Sequence, residues 1–232
     1  MPDIYRPVSG YGQAGPLESR LRGTGRVADD LWLLGHHEVT GRPLLHARPL
    51  GVGVAAGLLA ELMVGEHPAI SLGESGTVMI CPGVPRSWVE GHPLLKQIGA
   101  EPRLLPVRDW LQFLARTAAC EVGARLEQAG YVARSRRRIP GRPARWVPVD
   151  PDWAFAPVTR VRAALDPRRP SGPYAGVLAG LAVACGLGFR LAQYMSVERL
   201  AVEAAAACLP ADLERLIAHT QIAVSTAVFS RT

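Results

Sequence analysis

Two pairs of adjacent residues are candidates for chemistry: the acidic pair Asp29 and Asp30 and the histidine pair His36 and His37. Carboxylates and imidazoles are common metal ligands and general acids or bases. Adjacent side chains on a helix point about 100° apart, however, so they do not easily share one ligand. The spacing also departs from the H-E-x-x-H pattern of zinc hydrolases. We therefore expect helix capping and a solvated loop here, and no metal site.

Other catalytic patterns are missing from the sequence. No G-x-S-x-G is present, and the serines and cysteines have no local base that would lower their pKa. The run GVGVAAG, residues 51–57, is one residue longer than the dinucleotide-binding pattern G-x-G-x-x-G, and no strand precedes it. We therefore expect a protein that is not an enzyme and that needs no cofactor.

The densest charge lies in the stretch YVARSRRRIPGRPARWVPVD, residues 131–150. Two β-prone runs flank Pro140 and Gly141, which predicts a basic hairpin. Its arginines are Arg134, Arg136, Arg137, Arg138, Arg142 and Arg145. No acidic residue lies between Glu127 and Asp150, so these guanidinium groups would attract phosphates. The hairpin predicts electrostatic contact with an anionic membrane, although the same charges would also bind duplex DNA.

The overall charge favours the same two classes of partner. The formal net charge is +6, and Lys96 is the one lysine among 26 basic residues. Arginine forms forked hydrogen bonds with phosphates and carboxylates, so both nucleic acid and anionic lipid are candidate partners. The cysteines are far apart and contain no C-x-x-C pair, which favours a reducing cytoplasm over a zinc or disulfide framework. The arginine, alanine and glycine bias suggests a high-GC bacterial genome.

The elements that must position these residues are mostly helical. A chain of 232 residues with 48% hydrophobic content is sufficient for one compact domain, which we place at 26–232. Residues 1–25 carry proline, glycine and charge and lack the apolar run of a signal peptide, so they are expected to form a disordered tail. The runs at 51–65 and 172–189 are short or rich in glycine, which favours buried helices over membrane spans.

Hydrophobic periodicity predicts a mainly α fold, a single compact helical domain with two small β-hairpins. One hairpin has strands near 69–72 and 77–81, and the other is the basic hairpin at 131–149. The longest helix is expected at 107–129, with Val107, Leu111 and Leu126 on its buried face. Further helices are expected from Val27 to near Gly35 and at 51–65, 92–101, 174–189, 196–208 and 211–229.

A series of segments in this chain resembles a known family. DDLWLLGHHEVTGRPLLH, LGVGVAAGLLAEL, PVRDWLQFLAR, ARLEQAGYV and TRVRAAL occur in the order typical of the actinobacterial branch of the Golgi phosphoprotein 3 family, over about 26–229. Eukaryotic members are soluble helical proteins that bind phosphatidylinositol 4-phosphate on the Golgi surface and act as adaptors in enzyme sorting. The resemblance implies this fold, a non-enzymatic role and peripheral membrane association in a bacterial cytoplasm.

The resemblance also implies where ligands would bind. The family's headgroup tryptophan falls at His46, one pocket arginine falls at Ala55, and two arginines of a later helix fall at Arg116 and Ala119. Only Arg116 keeps the family's residue type. We therefore expect an anionic lipid headgroup, of phosphoinositide or another type, at His46, Arg48 and Arg116. The resemblance further implies self-association through the 69–81 hairpin and protein cargo as a partner.

Two alternatives stay open on the residues alone. Helix 107–129 followed by the 131–149 hairpin would suit a nucleic-acid-binding regulator, with the hairpin as a wing. The helix carries Asp109, Glu121 and Glu127, which is a poor composition for reading a DNA groove. An interaction scaffold, with the arginines bound to an acidic protein, is a further alternative.

Overall fold

The computed structural model describes residues 24–135, 145–164, 172–194 and 209–229, with side chains omitted for 162–164 and 192–194. The helices in these ranges are α1 Val27–Leu34, α2 Ala47–Met63, α3 Arg86–Gly91, α4 Pro93–Ala100, α5 Val107–Leu114, α6 Ala118–Gln128, α7 Pro151–Ala164, α8 Pro173–Ala184, α9 Gly188–Tyr194 and α10 Ala211–Phe229. The strands are β1 Ile70–Leu72, β2 Val78–Ile80, β3 Val132–Arg134 and β4 Trp146–Pro148. The mainly α prediction with two small hairpins is confirmed.

Helix α2 runs through the centre of the core. It packs against α1, α5, α6, α8 and α10, and its middle residues are buried on every side. Small residues permit this close packing: a Cβ added at Gly57 would lie 2.7 Å from the Cα of Ala28 on α1. The glycine-rich run is therefore a buried helix, as predicted. None of the helices in the described ranges has both the length and the apolar character needed to cross a membrane.

The two hairpins are antiparallel two-stranded sheets, as predicted. Ile70 pairs with Ile80 in the first, and Val132 pairs with Pro148 in the second. The tip of the basic hairpin, which holds Arg136, Arg137, Arg138 and Arg142, falls outside the described residues. Most of the predicted tail and the predicted helix at 196–208 also fall outside them.

The predicted continuous helix at 107–129 is wrong, although its buried face is right. The helix stops at Leu114 and restarts at Ala118, and Thr117 donates a short-range hydrogen bond to the carbonyl of Leu114. The carbonyl of Ala115 lies so close to α2 that a Cβ at Gly51 would sit 2.2 Å from its oxygen. The interruption thus coincides with a close contact between α2 and the junction of α5 and α6.

Other helices also differ from the prediction. Helix α2 begins at Ala47, four residues before the predicted start at Gly51. Pro49 is tolerated in its first turn, because the N–H group that a proline lacks has no intrahelical acceptor at that position. The helix expected at 174–189 is two helices, α8 and α9, which are separated at Gly186. The short helix α3 and the longer helix α7 were not predicted. Helix α7 contains Pro157, a residue that normally argues against a helix interior.

Candidate anion-binding site

A surface groove of about 410 Å³ lies where three helices meet. The start of α2, the end of α5 with its junction to α6, and the last turns of α10 form its walls. The lining residues are Ala47, Arg48, Val52, Gln112, Ala115, Arg116, Ala223, Thr226 and Ala227. We call this the Arg48–Arg116 groove. Its volume is within the range of about 300–1,000 Å³ that is usual for small-molecule sites.

Both arginines of the groove are available for a ligand. Arg48 and Arg116 are exposed, and neither forms an ion pair or a side-chain hydrogen bond within the described part of the chain. Among the described residues that line the groove, none is acidic. The local potential is therefore positive, which favours an anionic ligand.

The start of α2 adds further donors to the groove. His46 is the N-cap residue, and its side chain accepts no hydrogen bond from the first turn. Leu50 makes the first intrahelical bond, to the His46 carbonyl, so the N–H groups of Ala47 and Arg48 have no helical acceptor. Unsatisfied N–H groups and the helix dipole both favour an anion at such an end.

The base of the basic hairpin is fixed to the core through Trp146. The indole N–H of Trp146 donates to Glu127 Oε2 on α6 at 2.9 Å, and the ring meets Trp32 edge to face. Arg134 lies 4.9 Å from the centroid of the Trp146 ring and donates to the same carboxylate at 3.1 Å. The indole hydrogen bond, together with Arg134, holds the pKa of Glu127 below its usual range. This arrangement fixes the direction in which the hairpin leaves the core.

Comparison with known proteins identifies the family. The model of the Golgi phosphoprotein 3 (GPP34) family matches residues 27–228, nearly the whole chain. The chain belongs to this family. Golgi phosphoprotein 3 is not known as an enzyme family. A comparison with curated proteins found no match to the chain.

The structure brings some of the predicted site residues of this Golgi phosphoprotein 3 family member together and separates others. Arg48 and Arg116 line one groove, whereas His46 is exposed immediately before it and is not part of the lining. The basic hairpin begins at the opposite end of α6 from Arg116. Since α6 has 11 residues, the two sites are separated by about 16 Å along its axis.

The two positions at which the resemblance implies arginines in the family, Ala55 and Ala119, do not line the groove. Ala55 is completely buried in α2. Ala119 packs against the core, and its carbonyl accepts a hydrogen bond from the indole N–H of Trp32 at 2.9 Å. A headgroup at this groove would therefore meet arginine at Arg48, a position that the resemblance did not supply.

The prediction of solvated roles for the acidic pair is wrong. Asp29 accepts from Arg125 Nε at 2.8 Å, and Arg125 also donates to Glu61 at 3.2 Å. Asp30 is completely buried and accepts from Arg160 Nε at 2.7 Å. These bonds join helices far apart in sequence, so they hold the core together. Within the described residues, no cluster of three or more metal-ligand side chains occurs.

The contacts of two further groups, Tyr174 and His36, were not predicted from the sequence. The Tyr174 hydroxyl donates to Asp30 at 2.7 Å, and burial raises the pKa of Tyr174 far above its usual value. His36, expected in a solvated loop, stacks on Trp32 and hydrogen-bonds to its carbonyl at 2.7 Å. Burial lowers the pKa of His36 to about 4, so the ring is neutral near pH 7. The contacts of Asp30 with Arg160 and Tyr174 join residues far apart in the sequence, so the spacing of acidic residues and arginines along the chain did not predict them.

Proposed function

We propose that this Golgi phosphoprotein 3 family member is a non-enzymatic, peripheral membrane protein that binds an anionic lipid headgroup in the Arg48–Arg116 groove. The observation that carries the proposal is that Arg48 and Arg116, which form no ion pair within the described residues, line one groove at the start of α2. An intracellular location at an anionic membrane surface follows from the proposal.

The groove has the donors that a phosphate ester requires. Each guanidinium can form two parallel hydrogen bonds to phosphate oxygens, and the free N–H groups of the first turn of α2 can donate to a further oxygen. Gln112, on the α5 wall of the groove, adds a neutral amide. His46, at the edge of the groove, would be a further cation when it is protonated beside phosphate.

The basic hairpin would add attraction that does not depend on headgroup type. Each arginine close to an anionic bilayer contributes about 1 kcal/mol, and the effect decreases with salt. Arg134 already contacts Trp146 and Glu127, but its side chain is 58% exposed. Arg145 is half-buried at the base of the hairpin. The 69–81 hairpin remains the predicted site of self-association.

Helix α6 does not favour the nucleic-acid alternative. A recognition helix must present cations to the groove of DNA, but Arg125 of α6 is directed inward, to Asp29 and Glu61. Its exposed face carries Glu121 and Gln128 instead. An acid on that face would repel the phosphate backbone.

Flotation with vesicles tests the proposal. The chain is mixed with phosphatidylcholine vesicles that contain either phosphatidylinositol 4-phosphate or phosphatidylglycerol, and with pure phosphatidylcholine vesicles as the blank. We expect binding to at least one anionic vesicle type, and a loss of about tenfold or more in affinity for the double variant Arg48→Glu/Arg116→Glu.

The matched control is the double variant Arg103→Glu/Arg108→Glu. Both residues are exposed and outside the groove, so the control changes the net charge by the same amount. It should weaken binding much less than the groove variant. Equal loss in the two double variants would show that net charge alone drives binding, and no binding by the unaltered chain would overturn the proposal.

A further inference from the structure

We infer that the outer stripe of α10 inserts apolar side chains into the same anionic membrane surface whose headgroup occupies the Arg48–Arg116 groove. The inference rests on the proposed function. The stripe consists of Ile222, Ser225, Thr226 and Phe229, which are spaced as neighbours on one face of the helix. With Gln221 they line an open groove of about 560 Å³.

The stripe is exposed, yet it has no charge. Ile222 is 50% exposed, Phe229 is 79% exposed, and the neighbouring Val228 is 50% exposed. No charged residue occurs from 220 to 229 in the sequence. The exposed face of a helix in a water-soluble domain is normally charged or polar, so this stripe is better suited to an apolar surface.

The two hydroxyl groups of the stripe are turned back onto the helix. Ser225 Oγ donates to the carbonyl of Gln221 at 2.9 Å, and Thr226 Oγ1 donates to the carbonyl of Ile222 at 2.9 Å. A donor satisfied within its own helix costs much less to remove from water than a free one. The hydroxyls therefore do not prevent contact with the acyl region of a lipid layer.

The occupant follows from charge complementarity with the adjoining groove. Thr226 lines both the stripe's groove and the Arg48–Arg116 groove, so the apolar surface continues directly into the cationic one. An anionic bilayer offers phosphates and, a few ångströms deeper, hydrocarbon, which matches this arrangement. A second copy docked by two-fold symmetry would instead bring the two arginine pairs towards each other.

The test separates the stripe from the groove. Ile222→Asp and the matched control Leu104→Asp each place a carboxylate at an exposed apolar position, since Leu104 is 64% exposed and lies outside both grooves. Vesicles of phosphatidylcholine with phosphatidylglycerol or phosphatidylinositol 4-phosphate report membrane binding. Soluble inositol phosphate, titrated by calorimetry, reports the headgroup groove alone.

We expect Ile222→Asp to weaken vesicle binding about tenfold, through lost insertion and charge repulsion, and to leave the affinity for soluble inositol phosphate unchanged. Leu104→Asp should bind vesicles as the unaltered chain does. In a second measurement, brominated lipids should quench the tryptophan fluorescence of the Ile222→Trp variant more strongly than that of the Leu104→Trp variant. The fluorescence of the unaltered chain gives the contribution of the native tryptophans.

Three outcomes would overturn the inference. Vesicle binding unchanged in Ile222→Asp, while the groove variants lose it, would exclude the stripe and leave the proposed function intact. Loss of a dimer in light scattering, without loss of vesicle binding, would assign the stripe to a second copy. Failure of the unaltered chain to bind any anionic vesicle would remove the proposed function and the inference together.

Discussion

Individual arginines of this chain have two different roles, and their partners distinguish them. Arg125 and Arg160 donate to buried carboxylates on α1, whereas Arg48 and Arg116 have no acidic partner in the described part of the chain. The first pair cannot be released to a ligand without leaving a buried charge unpaired. The second pair can bind an anion at no such cost.

Replacing Arg125 with methionine should therefore make the folded chain less stable. The change leaves Asp29 and Glu61 without their shared cation, and we expect the free energy of unfolding to fall by about 3 kcal/mol. The control is Arg86→Met, because the Arg86–Glu90 pair is exposed and should contribute less than about 1 kcal/mol. Urea denaturation measures both. Equal effects in the two variants would contradict the structural role of Arg125.

The neutral His36 ring predicts a pH dependence of stability. Its pKa is about 4 in the folded chain and about 6.5 when unfolded, because burial disfavours the charged ring. Between these values the unfolded chain binds the extra proton. The stabilisation is therefore complete above about pH 6.5 and is lost as the pH falls towards 4, by about 3 kcal/mol in total.

The variant His36→Gln isolates this contribution, because glutamine keeps an amide donor for the Trp32 carbonyl but does not titrate. The free energy of unfolding of the variant should depend less on pH between about 4 and 6.5 than that of the unaltered chain. Urea denaturation across this window gives both slopes. Parallel curves would show that folding does not lower the pKa of His36.

At the scale of the elements, α2 connects the core to the groove. Its central part is buried, its first turn lies at the surface, and Gly51 contacts the junction of α5 and α6 between them. The position of Arg116 relative to Arg48 therefore depends on how closely this junction approaches α2.

The variant Gly51→Ala should disturb both stability and the groove. The added methyl group would clash with the Ala115 carbonyl, and we expect a loss of about 2 kcal/mol in the free energy of unfolding. Affinity for soluble inositol phosphate should fall as well, because Ala115 and Arg116 would move. Gly91→Ala is the control: nothing lies within 4 Å of the added Cβ, so stability should change little.

The elements that could be predicted from the sequence are those whose patterns are local. The hydrophobic period identified α1 and α10, and the Pro-Gly turn identified the basic hairpin. The break at 115–117 could not be predicted, because it coincides with a contact to Gly51 more than sixty residues away in sequence. Helix α7 was missed because Pro157 usually ends a helix.

The candidate groove could be predicted from the sequence only in part. Arg116 came from the family resemblance, and Arg48 came from its place in the sequence beside His46. Their convergence, and the contribution of α10, required the fold. The acidic pair was misjudged because its partners, Arg125 and Arg160, are 96 and 130 residues away.

At the scale of the whole molecule, positive charge lies at both ends of α6: the Arg48–Arg116 groove at its start and the basic hairpin after its end. The groove has a defined set of donors, whereas the hairpin adds arginines without a described pocket. The two should therefore respond differently to salt and to headgroup type.

Charge reversal of the hairpin should weaken membrane binding, and the effect should be smaller at high salt concentration. For Arg136→Glu/Arg138→Glu we expect a several-fold loss of affinity for phosphatidylglycerol vesicles at low salt, and a much smaller loss at high salt. Soluble inositol phosphate should bind as before, because the variant leaves Arg48 and Arg116 of the groove unchanged. Flotation at two salt concentrations checks this. Loss of inositol phosphate binding would place the headgroup site in the hairpin.

Hydrogen–deuterium exchange with and without anionic vesicles reports which surface of the chain contacts the membrane. The proposed membrane contact predicts slower exchange at 47–52, 112–116 and 222–229 when vesicles are present, and no change at 93–100, which lies outside both grooves. Protection confined to 131–149, with the groove segments unchanged, would contradict it.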